Sequence, residues 1–189
     1  MATSIERDAV RVHIRDAVAG DAEPLSRFAA AVFRATYGAI TDGADMDAHV
    51  AEFFTTQAQV REIADVVTRT LIATVDQEIA GFAQCRRDPA PPCLADGGLR
   101  SELALQIKRF YVGIPWHGRG VAQHLMSACI DLACAHEEPV WLGVQAQNSR
   151  AIRFYAKSGF QRVGVYAFTL GAETHVDDLM ARSSVTGIP

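Results

Sequence analysis

Between residues 117 and 123 the chain reads His-Gly-Arg-Gly-Val-Ala-Gln, where an apolar run gives way to a helical pattern. Residues of these types at this spacing can grip an anion. The first N–H groups of a helix have no intrahelical acceptor and sit at the positive end of its macrodipole. Gly118 and Gly120 let a phosphate approach the backbone with no Cβ in the way, and Arg119 adds a formal charge. A Gly-rich turn before a helix is also common punctuation, so the loop needs a second signal.

Two phosphate-loop readings fit poorly. A P-loop requires Lys and then Ser or Thr after its last glycine, and here Val121 and Ala122 follow Gly120. A dinucleotide fingerprint wants a small residue where Gln123 stands and an acidic residue on the next strand, and Val140 to Gln145 contains none. The segment from His117 to Ala122 resembles instead the acyl-CoA loop of the GCN5-related N-acetyltransferases, Arg/Gln-x-x-Gly-x-Gly/Ala, with His117 where Arg or Gln is usual. Downstream, Asn148-Ser149-Arg150-Ala151, Tyr155 seven residues after the Asn, and Gly159-Phe160 resemble the second signature of that family. Two signatures in the right order, one helix and one strand apart, arise by chance far less often than either alone. The resemblance runs from about Val10 to Ala181.

That resemblance implies an α/β fold: a mixed, mostly antiparallel sheet splayed between its fourth and fifth strands, with helices on both faces. It implies acetyl-CoA as cosubstrate and a primary amine as acceptor. The pantetheine arm would pair like an extra strand with the backbone of Phe110, Tyr111 and Val112. The pyrophosphate would meet the N–H groups of Gly118, Arg119, Gly120, Val121, Ala122 and Gln123, with His117 either bonded to phosphate or shaping the turn. Asn148 reads locally as a helix N-cap and, by resemblance, as a hydrogen-bond partner of the cofactor arm. Lys157 and Arg150 could reach the 3′-phosphate, although solvated charge is the plainer reading of both.

Transfer sets three tasks: a neutral amine, a stabilised oxyanion and a proton for the departing thiolate. A backbone N–H near Val112 can serve the second. For the third, Tyr155 occupies the matching position, and a phenol of pKa about 10 stays protonated at neutral pH. Its spacing from Ile152 also fits a core ring. The first task has no clear owner. Some members of the family carry a Glu five residues before the Asn, where this chain has Gly143. Glu102, Asp177 and Asp178, each more readily a surface carboxylate, a relay through ordered water, and acceptor that arrives as free amine all stay open. Tyr37 and Phe33 are expected at the acceptor wall, Phe33 also reading as core. The stretches FRATYG, IKRFYV and the DDLMAR ending are most similar to the branch that includes polyamine acetyltransferases. A polyamine is therefore the leading acceptor, and a CoA-binding module without turnover is the alternative.

The elements that must position these residues follow from periodicity. Val10, Val12 and Ile14 alternate with Arg11, His13 and Arg15 as a first strand. Leu25, Phe28, Ala29, Val32, Phe33 and Thr36 repeat as an amphipathic helix capped by Asp21. Met46–Phe54 and Gln57–Val67 read as helices, the second opened by a Thr56/Gln59 capping box. Thr70–Val75 and Glu78–Arg86 flank Asp76-Gln77 as a hairpin, and Asp88–Arg100, with three prolines and two glycines, reads as a loop. Glu102–Val112 is the central strand, followed by a helix from Val121 to about His136, a buried strand at Val140–Val144, a helix from Asn148 and a closing hairpin around Gly171.

One domain over residues 10–182 is expected, between tails at 1–9 and 183–189. The net charge of −4 argues against a general nucleic-acid or acidic-membrane surface. No basic leader or membrane-length apolar run is present, and Cys85, Cys93, Cys129 and Cys134 lack zinc-ligand spacing. The expectation is a cytoplasmic protein with reduced thiols and no metal, whose closing hairpin offers a surface for a homodimer.

Overall fold

The early alternation becomes β1 (His13–Asp16), with His13 exposed and Ile14 half-buried. A computed structural model describes residues 10–38, 42–170 and 173–183. After β1 come α1 (Ala22–Tyr37), α2 (Gly43–Phe53) and α3 (Thr56–Ala64). The hairpin β2 (Thr68–Val75) and β3 (Glu78–Pro89) precedes a short α4 (Pro92–Asp96) and the central β4 (Leu103–Val112). The chain closes with α5 (Val121–Cys134), β5 (Val140–Gln145), α6 (Ser149–Lys157), β6 (Gln161–Leu170) and β7 (Glu173–Arg182). The seven strands lie in the order β1-β2-β3-β4-β5-β7-β6. Every neighbouring pair is antiparallel except β4–β5, which is parallel.

Two apolar layers cover the sheet. On one face α5 and α6 pack Val121, Leu125, Cys129 and Tyr155 against Ala83, Ile107, Leu142 and Met180. On the other, α1 to α3 bring Leu25, Ala29, Phe33 and Phe54 onto Ile72 and Phe82. Large side chains such as Phe82 and Leu125 are fully buried, each worth about 1.5–3 kcal/mol of transfer free energy.

Local chemistry explains the boundaries that differ from expectation. Asp21 does not cap α1 with its side chain; its carboxylate accepts from Val18 N–H at 2.8 Å and pairs with Arg15 at 2.7 Å. Thr55, not Thr56, caps α3 by accepting from Ala58 N–H at 3.1 Å. Gln59 is turned inward, fully buried, and donates to the Phe53 carbonyl. The Pro-rich segment is not all loop. β3 runs on to Pro89, and Pro92 opens α4, where a missing N–H costs nothing. Leu94 then anchors that turn against Ala104 and Ala181. Asp76 and Gln77 both adopt positive φ, the twist a two-residue hairpin requires. The tip around Gly171 lies outside the described residues. Among those described, no helix is long and apolar enough to cross a membrane.

Candidate active site

β4 and β5 are paired only at Leu105↔Val140 and Gln106↔Trp141. Beyond Gln106 the strands part, and a cavity of about 840 Å³ opens between them. Phe110, Tyr111 and Val112 line one wall, Gln145 and Asn148 the other, and the start of α5 closes one end. Gly113 N–H bonds to Ala80 of β3 at 2.9 Å, and the Tyr111 carbonyl also turns toward β3. Strand alternation therefore aims the N–H and C=O of Val112 and Phe110 into the opening. The backbone of Tyr111 faces β3 instead, so the expected strand-like pairing at that residue is corrected to a lining role for its side chain.

The anion loop is set by two left-handed glycines, Gly118 at φ 74° and Gly120 at φ 87°. Gly120 begins α5 with no side chain capping it, so the first N–H groups of the helix remain available to a ligand. Gly118, Ala122 and Gln123 line the cavity. Val121 faces the core with a fully buried side chain and contributes backbone to the turn. His117 Nε2 donates to the Val112 carbonyl at 3.0 Å, tying the loop back to the end of β4. An unusual residue at that position thus has a local explanation: it occupies the strand's last inward carbonyl and leaves the Val112 N–H. His124 Nδ1 donates to the Gly120 carbonyl at 2.9 Å and steadies the turn from below. Arg119 is exposed, with its guanidinium over Trp116.

Asn148 caps α6, accepting from Ala151 N–H at 3.0 Å, and leaves its amide NH2 at the cavity wall. Tyr155, one helical face along, is 8% exposed and wedged among Phe110, Phe154 and Phe160 while lining the cavity. Burial drives its phenol well above the usual value, with Tyr37 and Cys129 adding to the effect. It is therefore protonated throughout the neutral range, as a proton donor must be. Lys157 sits in the last turn of α6, exposed and away from the cavity lining, whereas Arg150 in the first turn is part of it. Of the two cations expected near the 3′-phosphate, the geometry brings only Arg150 to the opening.

From α1, Val32, Ala35 and Thr36 line the cavity, and next to them a group of side chains joins α1 and α3 to β4. Tyr37, at the end of α1, shares a hydrogen bond with the Tyr111 phenol, and burial followed by the charge of Asp177 raises its pKa. Phe33 is 6% exposed and stacked between His49 and Tyr37, which corrects its expected acceptor contact to a packing role beneath Tyr37. Arg109, two residues before Tyr111 on the same strand face, is 12% exposed. It bonds both oxygens of Glu62 at 2.6 and 2.7 Å, contacts Gln84, and lies over the Phe54 ring. This network fastens α3 to the centre of the sheet. Periodicity missed it, together with the Tyr111 phenol. The available signal is Arg109 and Tyr111 at a two-residue interval, on one face of the central strand.

Known proteins place this architecture. Residues 37–160 match the model of the acetyltransferase (GNAT) family. An uncharacterized N-acetyltransferase of Mycobacterium tuberculosis is 31% identical over 142 residues, covering 72% of this chain and 83% of that protein. Among solved structures, the PaiA N-acetyltransferase of Thermoplasma acidophilum in complex with coenzyme A superposes with a TM-score of 0.71 at 19% identity, covering 92% of this chain and 99% of that one. Arabidopsis thaliana NAA60 in complex with acetyl-CoA gives 0.71 at 17% identity, covering 92% and 98%. The chain belongs to the GNAT family of acetyl-CoA-dependent N-acetyltransferases.

Proposed function

We propose that this protein moves the acetyl group of acetyl-CoA to a primary amine by direct attack on the thioester. The observation that carries this reading is the parting of β4 and β5 beyond Gln106, which brings an open strand edge, a helix start and a buried phenol to one cavity. The residues suit the ligand. The inward N–H and carbonyl of Phe110 can pair with the pantetheine arm, the Val112 N–H is left for the thioester oxygen, and the turn from Gly118 to Gln123 can meet the diphosphate. Asn148 holds the arm, and Arg150 serves the 3′-phosphate.

The amine lone pair attacks the carbonyl carbon, the Val112 N–H stabilises the oxyanion, the C–S bond breaks, and the Tyr155 phenol protonates the thiolate. A polyamine is the acceptor we favour. Its support is the charge of Asp177 acting on the Tyr37 phenol, which shares a hydrogen bond with Tyr111, an anionic and aromatic setting suited to a multiply charged alkyl amine. We place the protein in the cytoplasm, where its four free cysteines stay reduced. A second copy could pair through edge strand β6, where Val165 and Tyr166 are exposed.

A panel of amines assayed by thiol release tests the reading. Polyamines should give the highest kcat/KM, followed by peptide N-termini, amino acids and aminoglycosides. Release of no thiol with any amine, despite coenzyme A binding, would leave a CoA-binding module without turnover.

A further inference from the structure

A second, smaller cavity lies at the other end of the β5–β7 ladder, where Arg182 rather than Asp177 is the paired residue. It holds about 320 Å³, beside the turns that follow α4 and α6. Local backbone shapes it. Gly97, which closes α4, comes so near β6 that a Cβ there would stand 2.6 Å from Cγ1 of Val163. Val163 itself sits at a register shift of β6 against β7, between Arg162 and Gly164. Gly159 ends α6 at φ 87°, and Nη1 of Arg182 stands 3.3 Å from the point that a Cβ on this glycine would occupy.

The lining divides into an apolar and a charged part. Leu99, Val163 and Ala181 supply the first, and half-buried Arg182 the second. Arg182 Nη1 donates to the Ser158 carbonyl at 2.7 Å and Nε to the Ser183 carbonyl at 3.4 Å. A cation bonded to the last carbonyls of α6 is a helix C-cap. That role uses two of the five N–H groups of the fork, both on neutral acceptors. Among the described residues no carboxylate pairs with Arg182, and its Nη2 makes no hydrogen bond. A neighbouring donor is also without a partner. Trp141 stands across the ladder from Ala181 and packs in one cluster with Leu99 and Val163. Its indole Nε1 is buried and makes no hydrogen bond among the described residues, an arrangement that an incoming acceptor relieves.

We propose that this cavity is an effector site for a small carboxylate with an apolar body; its effect on turnover rests on the acetyl-transfer reading above. The carboxylate takes the free Nη N–H groups of Arg182, whose planar fork matches its two oxygens. The apolar body covers Leu99, Val163 and Ala181. Ligand pockets run from roughly 300 to 1,000 Å³, so a cavity at the lower end suits one ring or a short chain. The link to the reaction is α6. Its nine residues span about 13 Å, with Asn148 and Tyr155 at the cavity between β4 and β5 and Gly159 at the second cavity. The Tyr155 carbonyl accepts from Ser158 N–H at 2.9 Å and from Phe160 N–H at 3.0 Å. Arg182 holds the same turn through the Ser158 carbonyl. A carboxylate that draws the guanidinium away from Ser158 loosens the turn that fixes Tyr155, so occupancy lowers turnover.

The probe is sodium benzoate, titrated into the protein with coenzyme A present to occupy the diphosphate turn, and read by backbone amide NMR. Shifts should saturate at Leu99, Gly159 and Arg182 and extend to Tyr155. Benzyl alcohol, which lacks the charge, and inorganic phosphate, which lacks the apolar body, should each bind at least about tenfold more weakly. Arg182→Gln should weaken benzoate by about tenfold or more, and Arg182→Lys, which keeps the charge, by only about threefold. Gln161→Trp, at an exposed position on the cavity wall, should block binding with Arg182 in place, and decides the matter if Arg182→Gln does not fold. Saturating benzoate should lower the wild-type kcat about fivefold and leave that of Arg182→Gln unchanged. Shifts scattered over the surface, equal affinity in wild type and Gln161→Trp, or phosphate bound as well as benzoate would overturn the site. Benzoate bound at Arg182 with kcat unchanged would overturn the effector role. Wild type that acetylates no amine would count against the acetyl-transfer reading instead, and the NMR titration would still decide whether the cavity takes the carboxylate.

Discussion

On the proposed function, the donor side of the cleft is made largely of backbone, and the acceptor side of side chains. On the donor side, the two left-handed glycines, the uncapped start of α5 and the inward edge of β4 present amides in a fixed geometry. On the proposed acceptor side, Tyr37 from α1, Arg109 and Tyr111 from β4, and Glu62 from α3 converge from across the chain. The contrast teaches where specificity can change. Backbone amides recognise any diphosphate and pantetheine in the same way, whereas each acceptor-side group can be exchanged without disturbing the loop. Donor recognition is thus separable from acceptor choice.

Substitutions on each side can break or sharpen that division. Tyr155→Phe has the largest expected effect among them: turnover drops about a hundredfold, at the low end for a positioned proton donor, with coenzyme A affinity held within about twofold. Steady-state kinetics paired with calorimetry checks it, and equal turnover in the two proteins would reduce Tyr155 to a core ring. Arg109→Ala comes next. It leaves Glu62 facing the sheet without its cation, and since Glu62 is 26% exposed the loss falls short of that for a fully buried pair. We expect about 2–3 kcal/mol lower stability in urea denaturation. The acceptor KM should rise while coenzyme A binding persists; loss of coenzyme A binding in the folded variant would show that the two walls are not independent.

Gly120→Ala gives the smallest effect on stability and acts on the opposite side. The added Cβ would stand 3.7 Å from the His124 ring, so space is adequate, but φ of 87° is strained for any residue with a side chain. A cost of about 1 kcal/mol in stability is expected, with a rise of about tenfold in the KM for acetyl-CoA. The acceptor KM should not move. A change confined to the acceptor KM would contradict the division.

The same division explains how much was legible beforehand. Phosphate-binding amides require glycines at fixed offsets before a helix, so Gly118, Gly120 and Asn148 leave a local signature in the chain. The strand and helix order was equally readable, because β2, β3, α1 and α5 each carry their own periodicity. Phe33 and Lys157, both expected at the site, are not among the residues that line the cavity. Helical spacing alone cannot tell a ring beneath the site from one in it, and Lys157 lies more than one turn beyond the cavity-facing start of α6. Arg109 and Glu62 are opaque to sequence reading, because their contact joins elements tens of residues apart and no spacing rule encodes it. α4 is hidden in a proline-rich stretch that reads as a loop, whereas Pro92 at a first helical position starts a turn.

A crystal structure of the protein with coenzyme A is the most direct measurement of the central claim. The diphosphate should accept hydrogen bonds from N–H groups between Gly118 and Gln123, with the pantetheine arm against Phe110 and the thiol directed toward Tyr155. Coenzyme A seated away from that turn, or with its pantetheine arm outside the opening between β4 and β5, would contradict it.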